Sequence, residues 1–510
     1  MNILKIRLSV PHLFRTGDES MKKTAFSRCI LAALLAAFLL SAASCGAVTP
    51  EETKPEAPEV TTTEEERLFP DADYGGDEFP VYFRKQHTDH YRGIYIIPDE
   101  DSADVIDQEA MARNIRTEEK YHVRFRGIEV DTPSDTLKTD IASGNTPYYL
   151  VLDMRRLLGP LGRSGLLTNF HDLDVDLTTD WWDKKAAEQY DVDGRLYCMP
   201  NDVSVSNLVG AGFLYFNKAV LEDYRLTSPY DYALADNWTV DTFFTMVKSV
   251  SNEGAKGELG VYGFLDSELT SVFDLLTGIG VPRVERDGEG VLYCSIGDTY
   301  ADRTSDFLER FKALVEDKRY CQNYGDVDKK DKAGAAAYAT YYMHARGMFK
   351  ENHFLFTLSD MDSAAREFVD MSKGFGVIMN PKYDTNQDEY CHKMDNNSLI
   401  WAIPNDPGID LEEVGRVMNH WAYNSHGTVM EAFYELTVKT KRASDPVTAQ
   451  MLDTIKSSIC YYTTDLYKVE TIDTMLENAY RGSLVNAWKS SKNGINRLLA
   501  KITEDIQQND

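Results

Sequence analysis

The chain has 510 residues, 43% hydrophobic and 27% charged, which is a globular balance and excludes a wholly disordered or fibrous chain. Its formal net charge of −28 at pH 7 excludes the basic face that a nucleic-acid partner would need. With an N-terminal leader and tether set aside, about 440 residues remain, too many for one hydrophobic core and suited to two lobes.

Residues 1–20 have no targeting character, and Met21-Lys22-Lys23 is the better start, so they are a candidate mis-assigned start. Lys22, Lys23 and Arg28 flank an unbroken run of twelve apolar residues, 29–40, followed by Ser41, Ala42, Ala43 and Ser44. Positive, apolar, small is the order of a secretory signal, here 21–44, and the run falls short of the ~20 residues that span a bilayer. Cys45 stands directly after Ala43-Ser44 and before Gly46. That arrangement resembles the lipobox of bacterial lipoproteins, although Ala42 stands where they more often have Leu. The resemblance implies a diacylglycerol on the Cys45 sulfur and cleavage just before it. Residues 45–67 then read as a disordered tether: between 47 and 66 lie three prolines, five threonines and seven glutamates, too little apolar surface to offset ordering entropy.

Strand, helix, strand, helix, strand follow at 78–84, 104–120, 121–130, 134–143 and 148–154, with Ser134 expected to cap the second helix. The last strand is short and mostly apolar, as in a buried parallel sheet. This is the rhythm of a doubly wound α/β lobe. Asp193 and Gly194 mark a hairpin turn between 190 and 199. A strand at 211–216 leads to a helix beginning at Asn217, and Thr239 caps an amphipathic helix carrying Phe243, Phe244 and Val247. Helices at 269–277 and 305–317 continue a second lobe. A strand–helix–strand pattern at 346–379 reads as a return to the first, and from 411 onward the chain is nearly all helix. The expected division is 68–203 with 346–402 in lobe one, and 204–345 with 403–510 in lobe two.

Cys198, Cys294, Cys321, Cys391 and Cys460 are widely spaced without a CxxC pair. They read as buried thiols, with Cys294 and Cys321 able to pair; neither a metal nor a cofactor is expected.

"GRLYCMP", "FLYFNKAVLEDY" and "NWTVDTFFTMVKSV" occur in that order, through Gly194, Leu196, Tyr197, Pro200, Phe216, Asn217, Lys218, Trp238, Thr239, Asp241 and Phe243. With "FGVIMNPKYD" further on, the chain resembles the extracellular solute-binding lipoproteins of ABC importers, the group that includes maltose-binding proteins. The resemblance covers most of 73–468. It implies two α/β lobes joined by crossing segments (the type II periplasmic-binding architecture), with a solute, expected to be a mono- or oligosaccharide, held in the cleft. It further implies delivery to the transmembrane subunits of an ABC permease from the extracytoplasmic face of the bacterial cell membrane. The alternatives are a secreted glycan hydrolase and a surface scaffold lipoprotein.

In open α/β sheets ligands gather beyond the carboxyl ends of the strands. That rule selects Arg84 and Gln86, Asp153 and Arg155, and Asn201 and Asp202 where the chain leaves the first lobe. Sugar recognition also calls for aromatic faces, for which Trp182, Tyr342 and Trp401 are the candidates, beside Trp181 and Tyr341.

Overall fold

A computed structural model describes residues 64–85, 95–98, 101–254, 258–361, 363, 367–368, 370–434 and 446–509. The leader, Cys45 and most of the expected tether lie outside them, and all that follows concerns the unit Thr62–Asp510. The tether's expected end is corrected. Glu64–Leu68 is helical, and Phe69 just after it is buried against Trp181, His420 and Tyr423, so an apolar anchor orders the chain earlier than composition suggests.

The first sheet has the strand order Leu399–Ala402, Leu150–Met154, Asp77–Arg84, Val123–Val130. The last three are parallel, with Val81 opposite both Leu150 and Gly127, and Leu399–Ala402 runs antiparallel, setting Trp401 opposite Leu152. Between them run the helices Val105–Tyr121, capped by the Asp104 carboxylate on Ile106 N, and Pro133–Ser143. Ser134 does not cap its helix. Its hydroxyl and its N–H both donate to Asp153, a stronger partner because it is a buried carboxylate.

The second sheet has the order Phe375–Ile378, Phe213–Asn217, Phe354–Ser359, Val261–Asp266, and Cys321–Asn323 pairs in parallel with Val261–Asp266. Both helix starts expected here are capped by their side chains: Asn217 Oδ1 accepts from Ala219 N and Val220 N, and Thr239 Oγ1 from Thr242 N. Trp238, Phe243, Phe264 and Phe356 pack edge-on and tilted in its core.

The expected division of the chain is corrected at two places. Phe354–Ser359 and Phe375–Ile378 pair with Phe213–Asn217 in the second sheet, whereas the sequence reading gave them to the first lobe. All three strands are apolar and fully buried, so their pattern carries no mark of which neighbour they take. Helix Leu411–His426, expected in the second lobe, packs on Val105–Tyr121 of the first. Trp421 Nε1 donates to Asn114 Oδ1 (2.8 Å) and Arg113 Nη1 to Ser425 Oγ (2.8 Å). The C-terminal helix Glu470–Arg481 packs on Ala301–Glu316 of the second part, while Leu484–Gln507 touches both that helix and, through Asp505 and Arg163 (2.6 Å), the helix Arg155–Arg163 of the first.

Two segments crossing between the sheets are joined by a short antiparallel ladder at Ala211 and Met394. Gly212 N donates to Lys393 O (3.2 Å) and Asp395 N to Gly210 O (2.9 Å).

Candidate functional site

Beside that ladder, at the carboxyl ends of the parallel strands of the second sheet, lies a cavity of about 340 Å³. Ser267 and Glu268 reach it from the end of Val261–Asp266, Tyr324 from the end of Cys321–Asn323, and Ser359 and Asp360 from the end of Phe354–Ser359. Lys393 and Asp395 enter from the crossing segment, and Tyr341, Tyr342 and Arg346 from the helix Tyr341–Lys350. Two glycines make room for the crossing. A Cβ on Gly212 would lie 2.4 Å from Asp274 Oδ2, and one on Gly210 1.9 Å from Ser398 Oγ.

The lining is charged and aromatic. Burial pushes the Asp274 carboxyl up to about 7, with Lys393 pulling it down and Asp395 pushing it further up. Asp266, beneath the rim, is also raised to about 7 by burial, against hydrogen bonds from Ser271 and Glu268 N. Burial opposes the charge on Arg346, but Tyr324, Glu367 and Asp360 outweigh it and hold the guanidinium protonated. Arg346 Nη1 meets Glu367 Oε1 at 3.0 Å. Lys393 Nζ is fixed by Asn396 Oδ1 (2.7 Å) and lies 3.5 Å from Asp465, which Arg283 holds in turn at 3.1 Å. Three phenol rings follow one another along one wall, Tyr324 to Tyr341 (6.4 Å between centroids) and Tyr341 to Tyr342 (6.0 Å); Tyr341 is 53% exposed. Glu268 holds φ 60° and ψ −124° at the start of helix Leu269–Gly278, a backbone conformation unfavourable for any side chain bearing a Cβ.

Of the residues selected from sequence, Tyr342 and its neighbour Tyr341 line this cavity. Asp153 is fully buried and saturated by Arg84 Nε, the two Ser134 donors and Met154 N, while Arg84 also donates to Asp131 O (2.7 Å). Arg155 is buried, donates to the Tyr190 hydroxyl, and has its guanidinium 5.8 Å from the Tyr190 ring and 5.7 Å from that of Tyr461. Trp401 is buried with its ring 5.9 Å from Trp421. For these four the expected contact with a solute is corrected to a place in the core. Trp182, Asn201 and Asp202 come together around a different cavity, of about 550 Å³. There Trp182 Nε1 donates to Asn419 (3.0 Å) and Asp202 pairs with His426 at 2.5 Å. Burial raises the Asp202 carboxyl, and Asp202 in turn raises the His426 imidazole. Gln86 lies outside the described residues. The residues missed were Glu268, Asp274, Arg346, Asp360 and Lys393. The strand-end rule, applied to 261–266 and 354–359 as it was to the first sheet, finds Glu268 and Asp360.

The five cysteines of the body are free thiols, so Cys294 and Cys321 do not pair.

Three solved structures show the same fold. The cyclic α-maltosyl-1,6-maltose binding protein from Arthrobacter globiformis matches with a TM-score of 0.56 at 12% identity, over 84% of this chain and 100% of its own. The galacto-N-biose-/lacto-N-biose I-binding protein of the ABC transporter from Bifidobacterium longum matches at 0.54 and 12%, over 84% and 98%. An ABC substrate-binding protein from Listeria monocytogenes in complex with cycloalternan matches at 0.51 and 12%, over 83% and 99%. No curated protein sequence matches the chain. The family model for the bacterial extracellular solute-binding protein matches residues 110–365, half of the chain. This chain is a member of that solute-binding family.

Proposed function

We propose that the protein captures a carbohydrate in the 340 Å³ cavity beside the crossing ladder and delivers it to an ABC import permease, held to the membrane by lipid on Cys45. The observation that carries the reading is the lining itself. Carboxylates and a guanidinium offer planar hydrogen-bonding partners to hydroxyls, and three consecutive phenol rings offer faces and edges to the C–H surface of a pyranose. The site stands where a change in the crossing segments alters it directly, because Lys393 and Asp395 belong to both. A bend at such segments couples occupancy to shape, provided the solute binds one shape better than the other. The glycan ligands named for the three matched structures agree with this choice of solute class.

The test is a thermal-shift screen of purified protein against neutral mono- and oligosaccharides. At least one glycan raises the melting temperature in a concentration-dependent way. An unchanged melting temperature across the panel overturns the carbohydrate reading. Metabolic labelling with a radioactive fatty acid tests the anchor: wild type takes up label and Cys45→Ala does not.

A further inference from the structure

We propose that Cys391 and Cys460 are a redox-active pair, and that their oxidation to a disulfide pins residues 461–463, the segment through which the second part of the molecule grips the first. The strands His392–Lys393 and Ile459–Cys460 pair in parallel, His392 opposite Ile459 and Lys393 opposite Cys460. Continued one residue back, that register sets Cys391 and Cys460 on one face of the ladder as diagonal neighbours. Cys460 Sγ turns back along its own strand to within 3.6 Å of Ser458 O, and Ser458 is the residue that the continued register sets opposite Cys391. Both are partly exposed and line one cavity of about 570 Å³, whereas Cys198, Cys294 and Cys321 are buried.

The two sulfurs are unequal. Interaction with Cys391 holds the Cys460 thiol below its ordinary value against the effect of burial, and the same interaction, with burial, raises Cys391. Cys460 is therefore the attacking thiolate. It displaces one thiolate from an external disulfide such as glutathione disulfide, forming a mixed disulfide. Cys391, deprotonated, then attacks the Cys460 sulfur and releases the second thiolate. Two protein thiols and one external disulfide become one protein disulfide and two external thiols.

The consequence lies in the next residues. Tyr461 N donates to Gln189 Oε1 (2.8 Å), the Tyr461 hydroxyl to Asp183, and Thr463 Oγ1 to Gln189 O (2.6 Å), while the Tyr461 ring lies beside Arg155. Asp183 and Gln189 cap and form the helix Lys184–Tyr190, and Arg155 opens the helix that follows the first sheet's strand Leu150–Met154. Cys460 is thus the last residue before a grip on the first part. A covalent tie there restricts how that segment can release. The family's extracellular setting is one in which disulfides persist. The inference does not depend on which solute is bound.

The test treats the full-length protein with reduced or oxidised glutathione, blocks remaining thiols with iodoacetamide, and maps the tryptic peptides by mass. Oxidation yields a peptide joining Cys391 to Cys460, with two hydrogens lost. Cys391→Ser and Cys460→Ser each leave the other cysteine alkylated or glutathionylated and give no link. Reductant lowers the melting temperature of the oxidised wild type and leaves both variants unmoved. Alkylation of both cysteines after oxidation overturns the proposal, and so does an unresolved glutathione adduct on Cys460 in wild type, a link to Cys198, Cys294 or Cys321, or an equal effect of reductant on the variants. Peptide mapping requires no glycan binding, so its failure is distinct from failure of the carbohydrate reading.

Discussion

Asp274 shows most directly what burial does to a single group in the cavity wall. Folding raises its carboxyl from the ordinary 3.8 to about 7, so between those values the folded chain holds a proton that the unfolded chain has released. Stability from this group is therefore present at low pH and lost as pH rises through 7. At about 1.4 kcal/mol per pH unit, the loss is at most about 4 kcal/mol. Asp274→Asn removes it: urea unfolding finds the variant close to wild type near pH 4 and increasingly more stable than wild type toward pH 8. At the other end of the cavity, Tyr342→Ala takes away a ring face and weakens glycan binding by about 1 kcal/mol, roughly fivefold, in a calorimetric titration. Sequence offered Tyr342 only as one of several aromatics able to face a sugar, with nothing local to set it apart from Trp401, which is buried. It misled at Asp153, since nothing in the residues around position 153 announces that Arg84 and Ser134 converge on its carboxylate from other elements.

Helix starts were the most readable elements. Asp104, Asn217 and Thr239 all accept backbone N–H donors where their side-chain chemistry predicts a cap, because capping is decided within three residues of chain. Helix Leu269–Gly278 departs from that pattern. Glu268 precedes it with a positive φ and no side-chain cap, and it is exposed at the cavity rim. Such a conformation costs on the order of 1–3 kcal/mol in a residue other than glycine. Glu268→Gly is expected to stabilise the protein by about 1 kcal/mol in urea unfolding, part of the relief being offset by the freer unfolded chain. Because the carboxylate leaves the rim, the same variant binds glycan less tightly. A strained helix start of this kind leaves no trace in apolar periodicity.

At the scale of the whole molecule, the charge is −28 and the cavity shares its sign. Glu268, Asp274, Asp360, Glu367 and Asp395 face it against Arg346 and Lys393, and Arg346 is already committed to Glu367. Under the proposed carbohydrate reading, neutral glycans are expected to raise the melting temperature and glycans bearing uronic acids to give no thermal shift at physiological pH; a uronate that raises the melting temperature as much as its neutral counterpart contradicts this. The α/β class and the helical C-terminus were legible from strand and helix rhythm, but the allocation of strands to sheets was not. Pairing is decided between residues more than a hundred positions apart, as when Phe356 meets Phe216. The joint between the crossing segments belongs to the same long-range category, and it is built from peptide groups alone, Gly212 to Lys393 and Asp395 to Gly210. Every amino acid supplies the carbonyl needed at 393 and all but proline the N–H needed at 395, so these two hydrogen bonds do not depend on which side chains stand there. The seam between the two crossing segments is thus set by main chain, while the chemistry of the cavity beside it is set by side chains.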